Sequence, residues 1–501
     1  MKTPIYDFVN GYILKDPVRM HMPGHKGRSP LIGKKEFSDI YKYDITEIDG
    51  ADYLSAPCGI IAESEKNAGK LFATDTFYST EGSSLCIRAM LFMIVKKAEQ
   101  EGKRPFILAG RNAHSAFVNA CALLDIDVDW IMPLKSESYE SCSISAPDLE
   151  DYISKTGDTG IKPDALYVTS PDYLGNMLDI RELATVCHKN GMLLLVDNAH
   201  GAYLKFLEKS LFPIDLGADM CCSSAHKTLP VLTGGAYLHI NNGTDRFFYE
   251  NARQALSLFA STSPSYLILQ SLDLCNEYLE KASGDENMFV KAAERVSTLK
   301  RLLSKMGYEL EGDEPLKISV RLRYHGCCAA GRNKKSERGL DRHDGMDGLE
   351  IADSPEIDGN NFADALKQEN IHMEYHDRSH IVFMFTPLNT EDDIKGLEDV
   401  MLRYSKEINS YTQDSCTGRE NATNTGDVIH TERLPKPVKA MSMKEAMMSV
   451  SETVDVKKSI GRIMAYPVLS CPPCVPVYIY GEVIGEDILN YSDGEIRVVK
   501  I

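Results

Sequence analysis

The chain has 501 residues, 43% of them hydrophobic and 26% charged, which is ample for a large core and two or three domains. Its formal net charge of −18 argues against nucleic acid and anionic membrane surfaces as partners. No run approaches the ~18 apolar residues of a transmembrane helix. The opening Met1-Lys2-Thr3-Pro4-Ile5-Tyr6-Asp7 has no apolar signal core. The thirteen cysteines are scattered, as in reduced intracellular proteins, so a cytoplasmic location is expected.

Residues 1–50 are rich in Gly and Pro and read as an N-terminal arm. His21 and His25 have the spacing of a helical metal pair, but Pro23-Gly24 between them forbids a regular helix, and no metal is expected. From 51 to 275 short apolar strands alternate with helical stretches, which argues a mostly parallel sheet covered on both faces. Thr76–Thr80 reads as a strand running through Glu81-Gly82-Ser83-Ser84 into an apolar helix, Leu85–Val95. A small, hydroxyl-rich turn opening a helix suits an anion, although such turns also serve as plain caps. Phe106–Ala109 is a strand followed by Gly110-Arg111-Asn112-Ala113-His114, and a His just past a strand end can stack on a flat ring. Further strands are expected at Ala165–Thr169, Met192–Val196 and Met220–Ser223. Asp197 closes the middle one, and Ser224-Ala225-His226-Lys227 follows the last.

Beyond residue 275 a smaller α+β domain is expected over 276–407. Met288–Met306 is helical, with Val290, Ala293, Val296, Leu299, Leu302 and Leu303 on one stripe. Ile371–Tyr375 and His380–Phe385 read as paired strands. Gly331–Gly348 is dense in charge and Gly and reads as an exposed insertion. The stretch 408–437 is poor in large apolar residues and reads as a linker, so Asn421-Ala422-Thr423 within it carries no glycan in a cytosolic protein. A C-terminal module spans 438–501, with a helix over Met443–Val450. Cys471 and Cys474 have redox or metal spacing, but no second pair completes a zinc set, and a structural role is expected. Cys221-Cys222 reads as packing in a buried strand.

Each of these motifs is weak alone: most lysines are solvated charges, and an Asp after a strand often only caps a helix. Their conjunction is stronger. A lysine, an acid and a set of phosphate-binding groups are what a protein needs to hold pyridoxal phosphate. The lysine forms a Schiff base with the aldehyde, and the acid pairs with the protonated ring nitrogen.

At this point the chain resembles the pyridoxal-phosphate-dependent ornithine/lysine/arginine decarboxylases of the aspartate-aminotransferase fold, most of all the short bacterial members without a wing domain. The matching segments run from His21-Met22-Pro23-Gly24-His25-Lys26-Gly27 and Asp44-Ile45-Thr46-Glu47 through Gly82-Ser83-Ser84 and Arg111-Asn112-Ala113-His114. They continue with Val196-Asp197-Asn198-Ala199-His200-Gly201, Ser224-Ala225-His226-Lys227-Thr228-Leu229-Pro230 and Thr262-Ser263-Pro264-Ser265-Tyr266. The resemblance implies an α/β fold-type-I enzyme. Its large domain (51–275) holds a mostly parallel seven-stranded sheet, followed by the smaller α+β domain and a C-terminal α+β module. It places the His21–Gly27 segment near the active-site entrance.

The resemblance also implies roles. Lys227 carries the Schiff base, Asp197 bonds the ring nitrogen, Ala199 packs under the ring and His114 stacks over it. Ser83, Ser84, Ser224 and His226 hold the phosphate, and His200 is a further cofactor contact. His226 is also a candidate, beside Lys227 and water, for returning a proton to Cα. Thr262 and Ser263 reach the phosphate of a neighbouring subunit, which implies a homodimer or higher oligomer with shared active sites. Two positions depart from the family pattern. Ser115 follows the stacking His where a Lys or similar polar residue is usual. Glu81 precedes the phosphate-turn glycine, where an acid repels phosphate unless it is turned away or paired.

The implied reaction is α-decarboxylation of a basic amino acid, with arginine leaned to over lysine and ornithine. Glu47 and Glu482 are candidates for the distal cation, or else structural charges. An aminotransferase or another lyase on the same fold stays open, because Arg321, Arg323 and Arg378 offer possible carboxylate clamps. A non-catalytic homologue with a regulatory or binding role is the remaining alternative, opposed by the intact Lys227, Asp197 and His114.

Overall fold

The computed structural model describes residues 1–29, 35–134, 138–156, 162–322, 359–416, 438–469 and 473–500. The expected insertion at 331–348, the acceptor site at Asn421, Arg323 and Cys471 lie outside the described residues.

Seven strands form the central sheet: β1 (Asp75–Ser79), β2 (Phe106–Gly110), β3 (Asp127–Ile131), β4 (Ala165–Thr169), β5 (Leu193–Asp197), β6 (Met220–Ser223) and β7 (Ala236–Ile240). Their order is β1-β7-β6-β5-β4-β2-β3, and only β7 runs antiparallel to its neighbours. The uninterrupted Leu-Leu-Leu-Val of β5 follows from its place in the sheet: a central strand covered by helices on both faces has no solvent side to alternate with. Such a sheet gathers its parallel strands' carboxyl ends at one edge, the usual ligand site.

A second sheet holds β8 (Glu309–Glu311), β9 (Lys317–Arg321), β10 (Tyr375–His376) and β11 (His380–Met384) in the order β10-β11-β9-β8, all antiparallel. The helix Met288–Lys305 buries Phe289, Ala292, Val296, Leu299 and Leu303. Its buried stripe is thus rotated from the expected one, since Val290, Ala293 and Leu302 are only half-buried. Of the expected strand Ile371–Tyr375 only the last residue enters the ladder, where Tyr375 pairs with Val382. Ile371 instead returns its N–H to Leu366 O and finishes the preceding helix.

Three further differences follow from packing. The expected arm contains a helix, Pro4–Leu14, with Ile5 and Val9 wholly buried. Asp273 anchors it by accepting from Ile5 N (2.8 Å) and Tyr6 N (3.0 Å). The helix Glu391–Cys416 runs on past 408, where a linker was expected. Tyr404, Ile408 and Tyr411 keep a helical spacing there. The C-terminal helix ends at Met448 rather than Val450, and Ser442 closes its other end in a capping box with Glu445.

Candidate active site

The carboxyl ends of β5 and β6 bring the principal groups together. Asp197 ends β5 in a buried position. Its carboxylate accepts from Ala199 N (3.1 Å), Tyr167 OH (3.2 Å) and the Cys222 thiol (3.4 Å). The Ala199 bond folds the chain back under the carboxylate. Tyr167 stands on β4 beside β5, with its ring against Phe117 at 4.1 Å between centroids. Nothing in the sequence reading singled out Tyr167. The available signal was a phenol inside an otherwise apolar strand, since a buried OH needs a partner.

Lys227 lies in the short helix Ala225–Thr228, just after β6. Its Nζ is 3.0 Å from His200 Nε2. Burial pushes this amine below the ordinary lysine range, against the pull of the Asp197 charge. His200 is itself held well below the usual imidazole range, first by burial and then by the Lys227 and Lys317 charges.

His114 caps the helix Ser115–Leu124, its Nδ1 accepting from Ala116 N at 3.0 Å. That bond needs an unprotonated Nδ1, and burial likewise lowers the ring's pKa, so His114 is neutral at pH 7. Asp197 and Lys227 both act electrostatically on this ring.

A cradle for an anion lies beside these groups. The helix Gly82–Gln100 begins there without a side-chain cap, and Ser84 sits in its first turn. Gly82 has φ +70°, and its N–H is taken by Gly234 O at 2.7 Å. Gly234 (φ +100°) must lack a side chain, because a Cβ there would lie 2.8 Å from Thr80 O. Ser224 and Ser83 meet hydroxyl to hydroxyl at 2.8 Å. His226 is oriented by its Nδ1 bond to Gly235 O at 3.0 Å. Glu81 does not face this cradle as a free charge: Oε1 accepts from Ser261 N at 2.6 Å. Free helix-start N–H groups and paired hydroxyls suit a phosphate.

The remaining expected residues are spread more widely. Thr262 and Ser263 are exposed, joined to the cradle only through the neighbouring Ser261–Glu81 bond. Glu47 accepts from the Thr46 hydroxyl. Glu482 is buried against Arg111 (3.3 Å) and accepts from Ile479 N (2.8 Å), so it serves as a structural charge. Arg111 also donates to Pro476 O (2.7 Å) and Val477 O (2.9 Å), and Ser115 N donates to Cys474 O (2.9 Å). The C-terminal module is therefore pinned on both sides of His114.

Sequence reasoning missed Lys317, Tyr173 and Glu374. The Tyr173 ring meets His200 edge-on at 5.1 Å, and its OH donates to Glu374 Oε1 at 2.9 Å. The Glu374 charge acts on both Lys227 and Lys317. No local pattern marks these residues, because they reach the site from different elements.

Comparison with known proteins agrees with this architecture. Residues 3–318 match the family model of the Orn/Lys/Arg decarboxylase major domain. An arginine decarboxylase of Bacillus subtilis is 26% identical, over 98% of this chain and 93% of its own. One from Bacillus anthracis is 25% identical over 98% and 92%. The solved lysine decarboxylase of Francisella novicida superposes with a TM-score of 0.75 at 17% identity, covering 99% of this chain and 81% of that one. The constitutive lysine decarboxylase of E. coli gives 0.73 at 16%, covering 100% and 82%. With the model match spanning well over half its length, the chain belongs to the Orn/Lys/Arg decarboxylase family.

Proposed function

We propose that this carboxy-lyase holds pyridoxal phosphate and removes the α-carboxylate of a basic amino acid, with arginine as the first substrate. The observation that carries the reading is the half-buried Lys227 amine, 3.0 Å from His200 Nε2, gathered with the buried Asp197 carboxylate and the paired Ser83 and Ser224 hydroxyls. The residues fit the group: Ser83 and Ser84 offer donors at the start of the Gly82–Gln100 helix, and Ser224 brings its hydroxyl to theirs. When bound, the cofactor supplies an electron sink for the bond broken at Cα.

The chain's own residues do the rest. Lys227 is the attachment amine. Asp197, held in place by Ala199 N–H and Tyr167 OH, keeps a proton on the ring nitrogen. His114 is neutral and fixed by its own helix start, so it presents a flat face without adding charge. Ala199 lies beneath. Burial of Asp197, Tyr167 and Ala199 lowers the local dielectric and strengthens the contacts among them.

Arginine is favoured because relatives named for arginine are aligned over nearly the whole chain. Glu374 is the carboxylate best situated for a distal cation, since Tyr173 links it to His200. Glu374 is exposed in the single chain, so pairing with it adds only modestly, and a neutral analogue such as norleucine should be turned over about tenfold less efficiently than the substrate. The test is a panel of arginine, lysine, ornithine and norleucine, with and without a keto acid, scoring CO₂ and amine. Glu374→Gln should raise KM for the preferred substrate about tenfold or more. Amination of a keto acid with no CO₂ from any basic amino acid rejects the reading in favour of an aminotransferase.

The active sites are shared in a dimer on this reading, with Thr262 and Ser263 reaching the neighbour's phosphate. Their exposure in one chain supports it. A Lys227→Ala chain mixed with a chain altered at both Thr262 and Ser263 should recover part of the activity as hybrid dimers. No recovery from proven hybrids means that each site is contained in one chain.

A further inference from the structure

Lys317 opens β9 in the small domain, yet its amine ends in the large domain's site. It is 2% exposed. Its stem lies along Gly175, where an added Cβ would come within 3.1 Å of Lys317 Cδ. Gly175 has φ +88°, so both its backbone and its missing side chain make this approach possible.

The Lys317 amine has three neighbours: Asp172 O at 3.1 Å, Tyr173 O at 3.2 Å and His200 Nδ1 at 3.4 Å. An ammonium carries three N–H donors and no acceptor, so these three sites use all of it. Burial pulls the Lys317 pKa down, and the Glu314 and Asp172 charges oppose it in favour of the ammonium that these three acceptors suit. With Nδ1 accepting, a neutral imidazole must carry its proton on Nε2. His200 Nε2 is 3.0 Å from Lys227 Nζ. An Nε2–H can meet only an acceptor, and a lysine accepts only as the uncharged amine.

The other groups facing Lys227 are Asp197, Glu374, Cys222 and Cys474, and those facing His200 include His114 and His226. Asp197, the strongest attraction for a Lys227 charge, already accepts from three donors. Burial disfavours a second cation so close to Lys317.

We propose that Lys317 is a positioning residue that locks His200 in its Nε2–H tautomer and thereby keeps Lys227 a free amine in the cofactor-free protein. The proposal rests on the reading that Lys227 is the attachment lysine. Such an amine condenses with an aldehyde directly. Its nitrogen forms the C=N bond, and its two protons leave with the carbonyl oxygen as water. An ammonium must first lose a proton to a base.

Two measurements on cofactor-free protein test this. With ¹⁵N-labelled histidine, and His200 assigned by its loss in His200→Gln, the wild-type ring should show a protonated Nε2 and a bare Nδ1. An Nδ1–H tautomer or an imidazolium overturns the proposal without need of a variant. Competitive acetylation at pH 7, read by peptide mass spectrometry, then reports the Lys227 amine. Lys317→Met should lower its labelling about tenfold, as expected when a free amine becomes mostly ammonium at pH 7, and release the tautomer preference. His200→Phe retains the Lys317 charge and should lower labelling similarly, because the N–H donor is gone. Unchanged labelling in His200→Phe, with fold and Tm retained, means that charge alone sets the amine and overturns the tautomer link. Borohydride reduction of the holoprotein separately reports whether Lys227 carries the cofactor, so failure of that reading is distinguished.

Discussion

Lys227→Ala loses turnover by on the order of 10⁴-fold or more, as expected when the group that makes the covalent attachment is removed. The substitution should not unfold the protein. Burial lowers the Lys227 pKa below its unfolded value, so the proton it gives up on folding costs stability at neutral pH. That penalty is present below the folded pKa and fades as pH rises towards the unfolded value. Alanine removes it, and Tm at pH 7 should be equal to or above that of the wild type. Rate assays and thermal melts on the same preparation check both halves. Borohydride trapping and peptide mapping of the wild type should place the pyridoxyl group on Lys227. A label on another lysine, or a variant retaining near-normal rates, overturns the assignment.

Asp197→Ala lowers turnover by about 10³-fold, the scale of losing a single preorganised electrostatic group. It also strands Tyr167 OH and Ala199 N–H, whose shared acceptor it is. Each buried donor left unpaired costs about 1–3 kcal/mol, so a drop in stability accompanies the loss of rate. Asp197→Asn separates the two effects. It keeps one oxygen for Ala199 N–H while Tyr167 OH can instead accept from the new amide, so much of the stability should recover and turnover should not. Assays with excess pyridoxal phosphate measure kcat free of weakened cofactor binding. Near-normal turnover in Asp197→Ala would show that another residue protonates the ring.

The large domain was legible because its strands are short apolar runs that end in chemically distinctive residues. Asp197, His114 and Lys227 follow such runs directly, and a strand's end is where a parallel sheet presents its ligands. Strand order was not legible, since β7 inserts between β1 and β6 and its pairing with β1 joins residues distant in sequence. Lys317 was missed for a related reason. In Lys-Ile-Ser-Val-Arg it reads as the charged start of a surface strand, and only the approach of β9 to Gly175 buries it. The helix Met288–Lys305 shows a third limit: several neighbouring stripes were apolar enough, and the packing partner chose among them.

The grip of Arg111 on Pro476 O spans 365 positions of sequence. Contacts of such range close late, because a long loop must be ordered before they give any return. During synthesis β5 with Asp197 and the short helix with Lys227 leave the ribosome while residues 476–482 are still to be made. The loop bearing His114 thus acquires this outer wall after Lys227 and Asp197 are already in place. Maturation of the enzyme is then timed by residues 474–482, and a nascent chain that has folded its large domain is still without the support that Arg111, Glu482 and Cys474 give to the His114 loop.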